Sequence, residues 1–257
     1  MARALGALVA LALLGGLLAG LASGERSQRG NLIVSLDGGL SPLRLPRQRP
    51  APVAVHLEGG LRTADGSLLP RVTRIELGLP GQGILSTRGL PVCPRRRLLN
   101  TKRPEALTTC GPALIGHGRL EAEVVVPHQA PFTIEARLLA FNGRFDGARA
   151  VLLHATADNP PISVVLPFRI RSGGGRLGTV LIGDLPRALG PLPHFAGFEM
   201  TLSRHYSYRG ESRSYLSASC PIPPRLTAGF FSFARVDLTL ADGRRIGTGI
   251  VRGCRAR

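Results

Sequence analysis

The residues most able to do chemistry are six histidines, a glycine-rich turn, one pair of carboxylates and several arginine clusters. His56, His117, His128, His154, His194 and His205 show no HxH, HxxxH or HExxH spacing, so no metal site is assembled locally. His154 sits among apolar neighbours and is read as a core or edge histidine before a general base. Gly173 to Gly178 fits GxGxxG, yet Thr179-Val180-Leu181-Ile182 follows it. A dinucleotide site needs a helix there, with its amides aimed at a pyrophosphate, so the turn reads as a hairpin loop. Glu121 and Glu123 share one strand face, as a glycosidase pair could, but exposed alternation explains them more simply. With no GxSxG or SxxK motif, a hydrolase is the weakest functional expectation. No catalytic residue, metal ligand or cofactor is assigned.

Two groups of cations remain. Arg95-Arg96-Arg97 with Lys102-Arg103 lies in a short loop between Cys93 and Cys110, and would suit phosphate or carboxylate polymers. Arg204, His205, Tyr206, Tyr208, Arg209 and Arg213 interleave cations with aromatics, the pattern of a stacking surface, though an ordinary wet strand face looks the same. The formal charge is +17, and Lys102 is the one lysine among 33 basic residues. That bias, with abundant Ala, Gly, Leu and Pro, looks like GC-rich coding, which loads a surface with arginine whatever the function. It predicts non-specific adhesion to polyanions and no specific nucleic-acid partner.

The four cysteines lack CxxC spacing. In an exported chain of this length they imply two reinforcing bridges with three possible connectivities, and nearest-neighbour pairing, Cys93–Cys110 and Cys220–Cys254, is expected. Export is expected from residues 1–24: Arg3, an uncharged Ala/Leu/Gly/Val run, then small residues suited to signal peptidase. The alternative is a retained N-terminal membrane anchor. After cleavage no transmembrane segment is expected.

The elements that must position these residues are strands. Ala234, Val236, Leu238 and Leu240 alternate with polar residues, and Ile246, Thr248 and Ile250 resume the pattern after Asp242-Gly243. A three-residue loop, Ala241 to Gly243, pairs Leu238 with Ile246, Val236 with Thr248 and Ala234 with Ile250. It keeps the apolar faces together, whereas a two-residue loop would not. Similar alternation marks 120–126, 132–138 and 162–170, with Pro167 suggesting an edge or bulged strand. Pro104 to Leu107 reads as one helical turn. The prediction is an all-β protein: an antiparallel β-sandwich, immunoglobulin-like or jelly-roll-like, over residues 51–257, preceded by an extended segment at 25–50.

Cys93 with Leu107-Thr108-Thr109-Cys110-Gly111-Pro112-Ala113-Leu114-Ile115-Gly116-His117-Gly118 resembles a pattern in an uncharacterised family of exported proteins from GC-rich actinobacteria. Ala140-Phe141-Asn142-Gly143-Arg144, Tyr206-Ser207-Tyr208-Arg209-Gly210, Ser214 to Ala218 and Gly253-Cys254-Arg255 extend the likeness across most of the mature chain. The resemblance implies an exported, two-disulfide, all-β protein and supplies no activity. The functional expectation is a non-enzymatic structural or binding module, secreted or at the cell envelope. Its partner would be an anionic cell-wall polymer or another envelope protein; the alternative is polyanion binding through Arg95 to Arg103.

Overall fold

The computed structural model describes residues 25–185 and 193–257. Residues 1–24, where the export signal is expected, lie outside the described residues. The chain is all-β, but its strands do not form two stacked sheets. One long sheet curls on itself in the order β1 (Glu25–Arg29), β2 (Leu32–Ser41), β5 (Ala54–Thr63), β14 (Pro193–Leu202), β9 (Leu114–Val124), β10 (Phe132–Phe145) and β11 (Ala148–Ala157). It continues through β12 (Ile162–Ser172), β13 (Leu177–Asp184), β6 (Val72–Pro80), β18 (Ala228–Leu240), β19 (Arg245–Ala256) and the short β3 (Arg44–Leu45). Its long neighbours are antiparallel; β3 on β19, and β8 (Cys93–Pro94) on β10, are parallel.

The curl brings the two edges face to face. Ser27 Oγ donates to Thr248 Oγ1 at 3.1 Å and Arg29 Nη1 to the Arg245 carbonyl at 2.9 Å, both from β1 to β19. Arg252 on β19 pairs with Asp37 and donates from Nε to the Gly38 carbonyl at 2.6 Å, both on β2. Side chains rather than a backbone ladder therefore bridge the seam. The expected sandwich is replaced because the inward faces of β5 and β14 look across at β12, β13 and β6 of the same sheet.

One end of the curl is covered by a small sheet of β4 (Ala51–Pro52), β17 (Leu216–Ala218) and β7 (Gly83–Leu85). Its Leu216 and Ala218 join the main core, and Tyr215 beside them is fully buried. Burial without a hydrogen-bond partner pushes the Tyr215 hydroxyl above the usual phenol range.

Residues 25–50 carry two full strands of the main sheet where the sequence reading has an extended segment. The run Leu32, Val34, Leu36, Leu40 faces the core on β2, but Gly38 and Gly39 interrupt the pattern that would reveal it. The β18–β19 register is the predicted one, with Ala234, Val236 and Leu238 opposite Ile250, Thr248 and Ile246, and Gly243 has φ +84°. A bulge between Ser232 and Ala234 shifts the lower half by one residue, placing Cys254 opposite Gly229 rather than Phe230. Pro167 lies inside a strand paired on both sides. It is tolerated because pairing with β13 begins only at Phe168, so no β13 partner is asked of Pro167. The GxGxxG turn is the loop of the β12–β13 hairpin, with Leu177 N–H donating to the Gly174 carbonyl at 3.2 Å.

Both disulfides join nearest neighbours, with Cα separations of 5.5 Å for Cys93–Cys110 and 5.9 Å for Cys220–Cys254. The second one does not link strands adjacent in a sheet. β17 belongs to the small sheet, and Cys220 is held by its own N–H donating to the Pro46 carbonyl, so the bridge ties the covering layer to β19.

Candidate functional site

Three places combine accessible or unusual chemistry: the lumen, an outer lid and an outer groove. The lumen is an apolar cavity of about 150 Å³ inside the curl. Val55 and Leu57 on β5, Leu120 and Ala122 on β9, and Leu138 on β10 form one wall; Val151, Leu166, Phe168 and Leu181 face them. Phe195, Phe198, Met200 and Leu202 line it from β14. Period-two alternation puts these residues inward, and antiparallel pairing keeps them in rows. The void persists because the wall is built largely from Val, Leu and Ala: the whole chain has nine Phe and no Trp to fill it.

At the cavity's upper end, opposite the small sheet, lie Arg71, Val72 and Leu185. Arg71 is the one cationic side chain on the described lining. It is half-buried, and among the described residues its guanidinium makes no hydrogen bond or ion pair. Glu121 also reaches the lining, but it is exposed and stands beside Gly197 on the outer surface. Sequence reasoning missed Arg71, because a lone arginine at the end of a loop, just before a strand, carries no pattern that marks it. The alternation did reveal part of the lining, Leu120, Ala122, Leu138, Leu166, Phe168 and Val236, though not that these residues border a void.

The Cys93–Cys110 segment forms a lid on the outer face of β10, β11 and β12. Its β8 runs beside Gly143 and Arg144, a 3₁₀ turn follows at Arg95–Arg97, and α1 spans Arg103–Cys110. The helix is two turns rather than the single turn expected. Pro104 sits in its first turn, and Glu105 accepts the Lys102 N–H at 2.9 Å, so the start is capped as well as tolerated. Leu98, Ala106 and the disulfide cover Leu139, Phe141, Leu152 and Val165.

The lid leaves Arg95, Arg96, Arg97, Lys102 and Arg103 exposed. Seven arginines elsewhere (Arg74, Arg119, Arg169, Arg213, Arg235, Arg244 and Arg252) have carboxylate partners. Among the described residues none of the five lid cations does. Arg95 stacks over Phe145 at 5.7 Å. The register also brings Arg144 opposite both Pro94 and Arg149, adding two exposed cations to the patch.

His154 lies under this lid, fully buried. Its Nε2 is 3.0 Å from the Thr101 carbonyl, which can only accept, so the Nε2–H donates there. Ser163 Oγ donates to the same carbonyl at 2.8 Å. Among the described residues Nδ1 has no partner, and no carboxylate orients the ring. Burial holds the imidazolium form down, against the opposing hydrogen bond to Thr101. The residue pins the lid through Thr101, and its second nitrogen is closed off from solvent.

The outer groove is floored by Gly59, Gly60 and Gly197 and edged by Asp37, Glu58, Glu121 and Glu199. Arg119 pairs with Glu199, which holds the Glu199 carboxyl below its usual range. Glu123, the other half of the suspected carboxylate pair, accepts the Leu69 N–H at 3.1 Å. That bond commits it to the loop before β6. Among the described residues no three His, Cys, Asp or Glu side chains gather as metal ligands would.

The Tyr and Arg stretch forms a hairpin of β15 (His205–Tyr208) and β16 (Glu211–Ser214). Arg209 and Arg213 lie over the Tyr208 ring at 5.4 and 5.8 Å, and Gly89 packs against it. Tyr206 donates its hydroxyl to the Arg88 carbonyl at 2.9 Å. These aromatics are engaged within the protein and offer no free stacking platform. No protein-family model matches this chain, and no curated protein matches it.

Proposed function

We propose that this is an exported, non-enzymatic binding module whose ligand is apolar and sits in the lumen of the curled sheet. The observation that carries the reading is the cavity of about 150 Å³, lined almost wholly by aliphatic and aromatic side chains. A void of that order with apolar walls stays dry and takes apolar guests, because water finds no hydrogen-bond partners in it. The two disulfides suit an oxidising compartment. Among the described residues no helix is long and apolar enough to cross a membrane.

Calorimetric titration with octanol tests the reading, with saturable binding at one site expected. Val151 is buried and lines the cavity, so Val151→Phe would fill the void. That variant should keep or raise the melting temperature of the ligand-free protein and abolish the octanol heat. Octanol heats that persist in Val151→Phe, or no saturable heat in the unaltered chain, would refute lumen binding.

A second reading is supported by the lid: five exposed cations without carboxylate partners, joined by Arg144 and Arg149. On this reading the outer face also holds an anionic wall polymer through phosphates or carboxylates.

A further inference from the structure

We infer that the lumen's ligand is an amphiphile with an anionic head, its chain in the cavity and its carboxylate or phosphate on Arg71. The inference rests on the lumen reading and names the class of ligand it takes.

Arg71 sits where the cavity ends, immediately before Val72 enters β6. Its backbone is fixed there: the Arg71 carbonyl accepts the Ala241 N–H at 2.8 Å, tying the position to the β18–β19 turn. The side chain touches the cavity wall and is half-buried, yet no carboxylate pairs with it among the described residues. This contrasts with Arg74, three residues on, which bonds Glu76 at 2.8 Å and Asp184 at 3.2 Å. Among the described residues every other side chain on the lining except Glu121 is apolar. Glu121 is exposed and turned toward the Gly197 surface, so it does not cancel the guanidinium at the cavity's end.

The Arg71 guanidinium reaches solvent at the mouth of an apolar void and has no carboxylate partner among the described residues, so its donors are free to take an anion there. Arginine presents a planar fork of donors that fits a carboxylate or phosphate bidentately. An apolar tail buries surface in the void while the head meets that fork at its rim, so one molecule satisfies both features. A void of this order takes one small apolar guest, so a single chain can enter it while its head stays at the rim.

The test compares four eight-carbon probes on the full chain by calorimetry: octanoate, octyl phosphate, octanol and octyltrimethylammonium. The two anions should bind about tenfold tighter than octanol, as one charge-assisted pair in a sheltered site allows, and the cation should bind weakest. Arg71→Gln should bring the anions down to the octanol affinity and leave octanol itself unchanged, while Arg71→Lys should keep part of the preference. Unchanged octanol affinity also reports that the variant's lumen is folded. If all four probes bind alike, or if Arg71→Gln leaves the preference intact, the Arg71 assignment falls while the lumen reading stands. If none binds, both fall. Octanoate and octyl phosphate are separate arms, so their order identifies which head the site takes.

Discussion

At the scale of single residues, His154 shows how a chemically suggestive side chain is spent on structure. Its apolar surroundings were legible in the sequence, since Leu152, Leu153 and Ala155 flank it. Its partner was not, because Thr101 comes from the lid more than fifty residues earlier. The arrangement has a pH signature. Burial lowers the His154 pKa in the folded protein below that of the unfolded chain, so the unfolded state binds the proton more readily. Stability contributed by the neutral ring is complete above the ordinary value of about 6.5. It is lost as pH falls below that value toward the depressed one. Melting temperature measured from pH 7.5 to 5 should therefore fall more steeply for the unaltered protein than for His154→Gln. Parallel curves would mean that His154 does not hold the lid in its neutral form.

At the scale of elements, the sequence is most readable where turn chemistry and period two agree. The β18–β19 hairpin has both: Asp242-Gly243 supplies the left-handed turn residue, and only one loop length keeps the apolar faces aligned. Where a local irregularity intervenes the reading drifts, as at the bulge before Ala234 or in β2, where paired glycines hide a strand. The lid is an intermediate case. Its cysteines and its helix start were visible, but not that Leu98 and Ala106 would seat it on β10 and β11. Seating matters for charge, because a fixed lid holds Arg95, Arg96 and Arg97 beside Arg144 and Arg149 instead of letting them disperse. Retention on heparin should be salt-dependent, and Arg95→Ser/Arg96→Ser/Arg97→Ser should lower the eluting salt concentration markedly. The melting temperature should stay within about 1 °C, since exposed, unpaired side chains contribute little to stability. Unchanged elution would assign the retention to the general arginine load of the surface.

At the scale of the whole molecule, alternation decides which residues face inward but not what they face. An apolar strand face is equally satisfied by a second sheet stacked above it or by the far side of its own sheet, so the sequence reads as a sandwich while the chain curls. What separates the two outcomes is how the sheet ends. A sandwich leaves edges, whereas here β1 and β2 meet β19 through Ser27–Thr248, Arg29–Arg245 and Arg252–Asp37. These contacts protect edges that would otherwise be open to pairing with another chain. They also enclose the lumen, because without the seam its apolar wall would face water. Arg252 is the strongest of them: its side chain is 17% exposed, it pairs with Asp37, and it bonds the Gly38 carbonyl. Removing it leaves Asp37 half-sheltered without its cation, intermediate between a surface pair and a buried one. Arg252→Ala should cost about 2 kcal/mol, and Asp37→Ala in the same chain should add less than it does alone. Amide exchange should quicken first in β1 and β2, and octanol should bind more weakly as the enclosure loosens. Exchange that stays slow there, with octanol affinity intact, would mean that the curl is held by its interior packing and owes nothing to its seam.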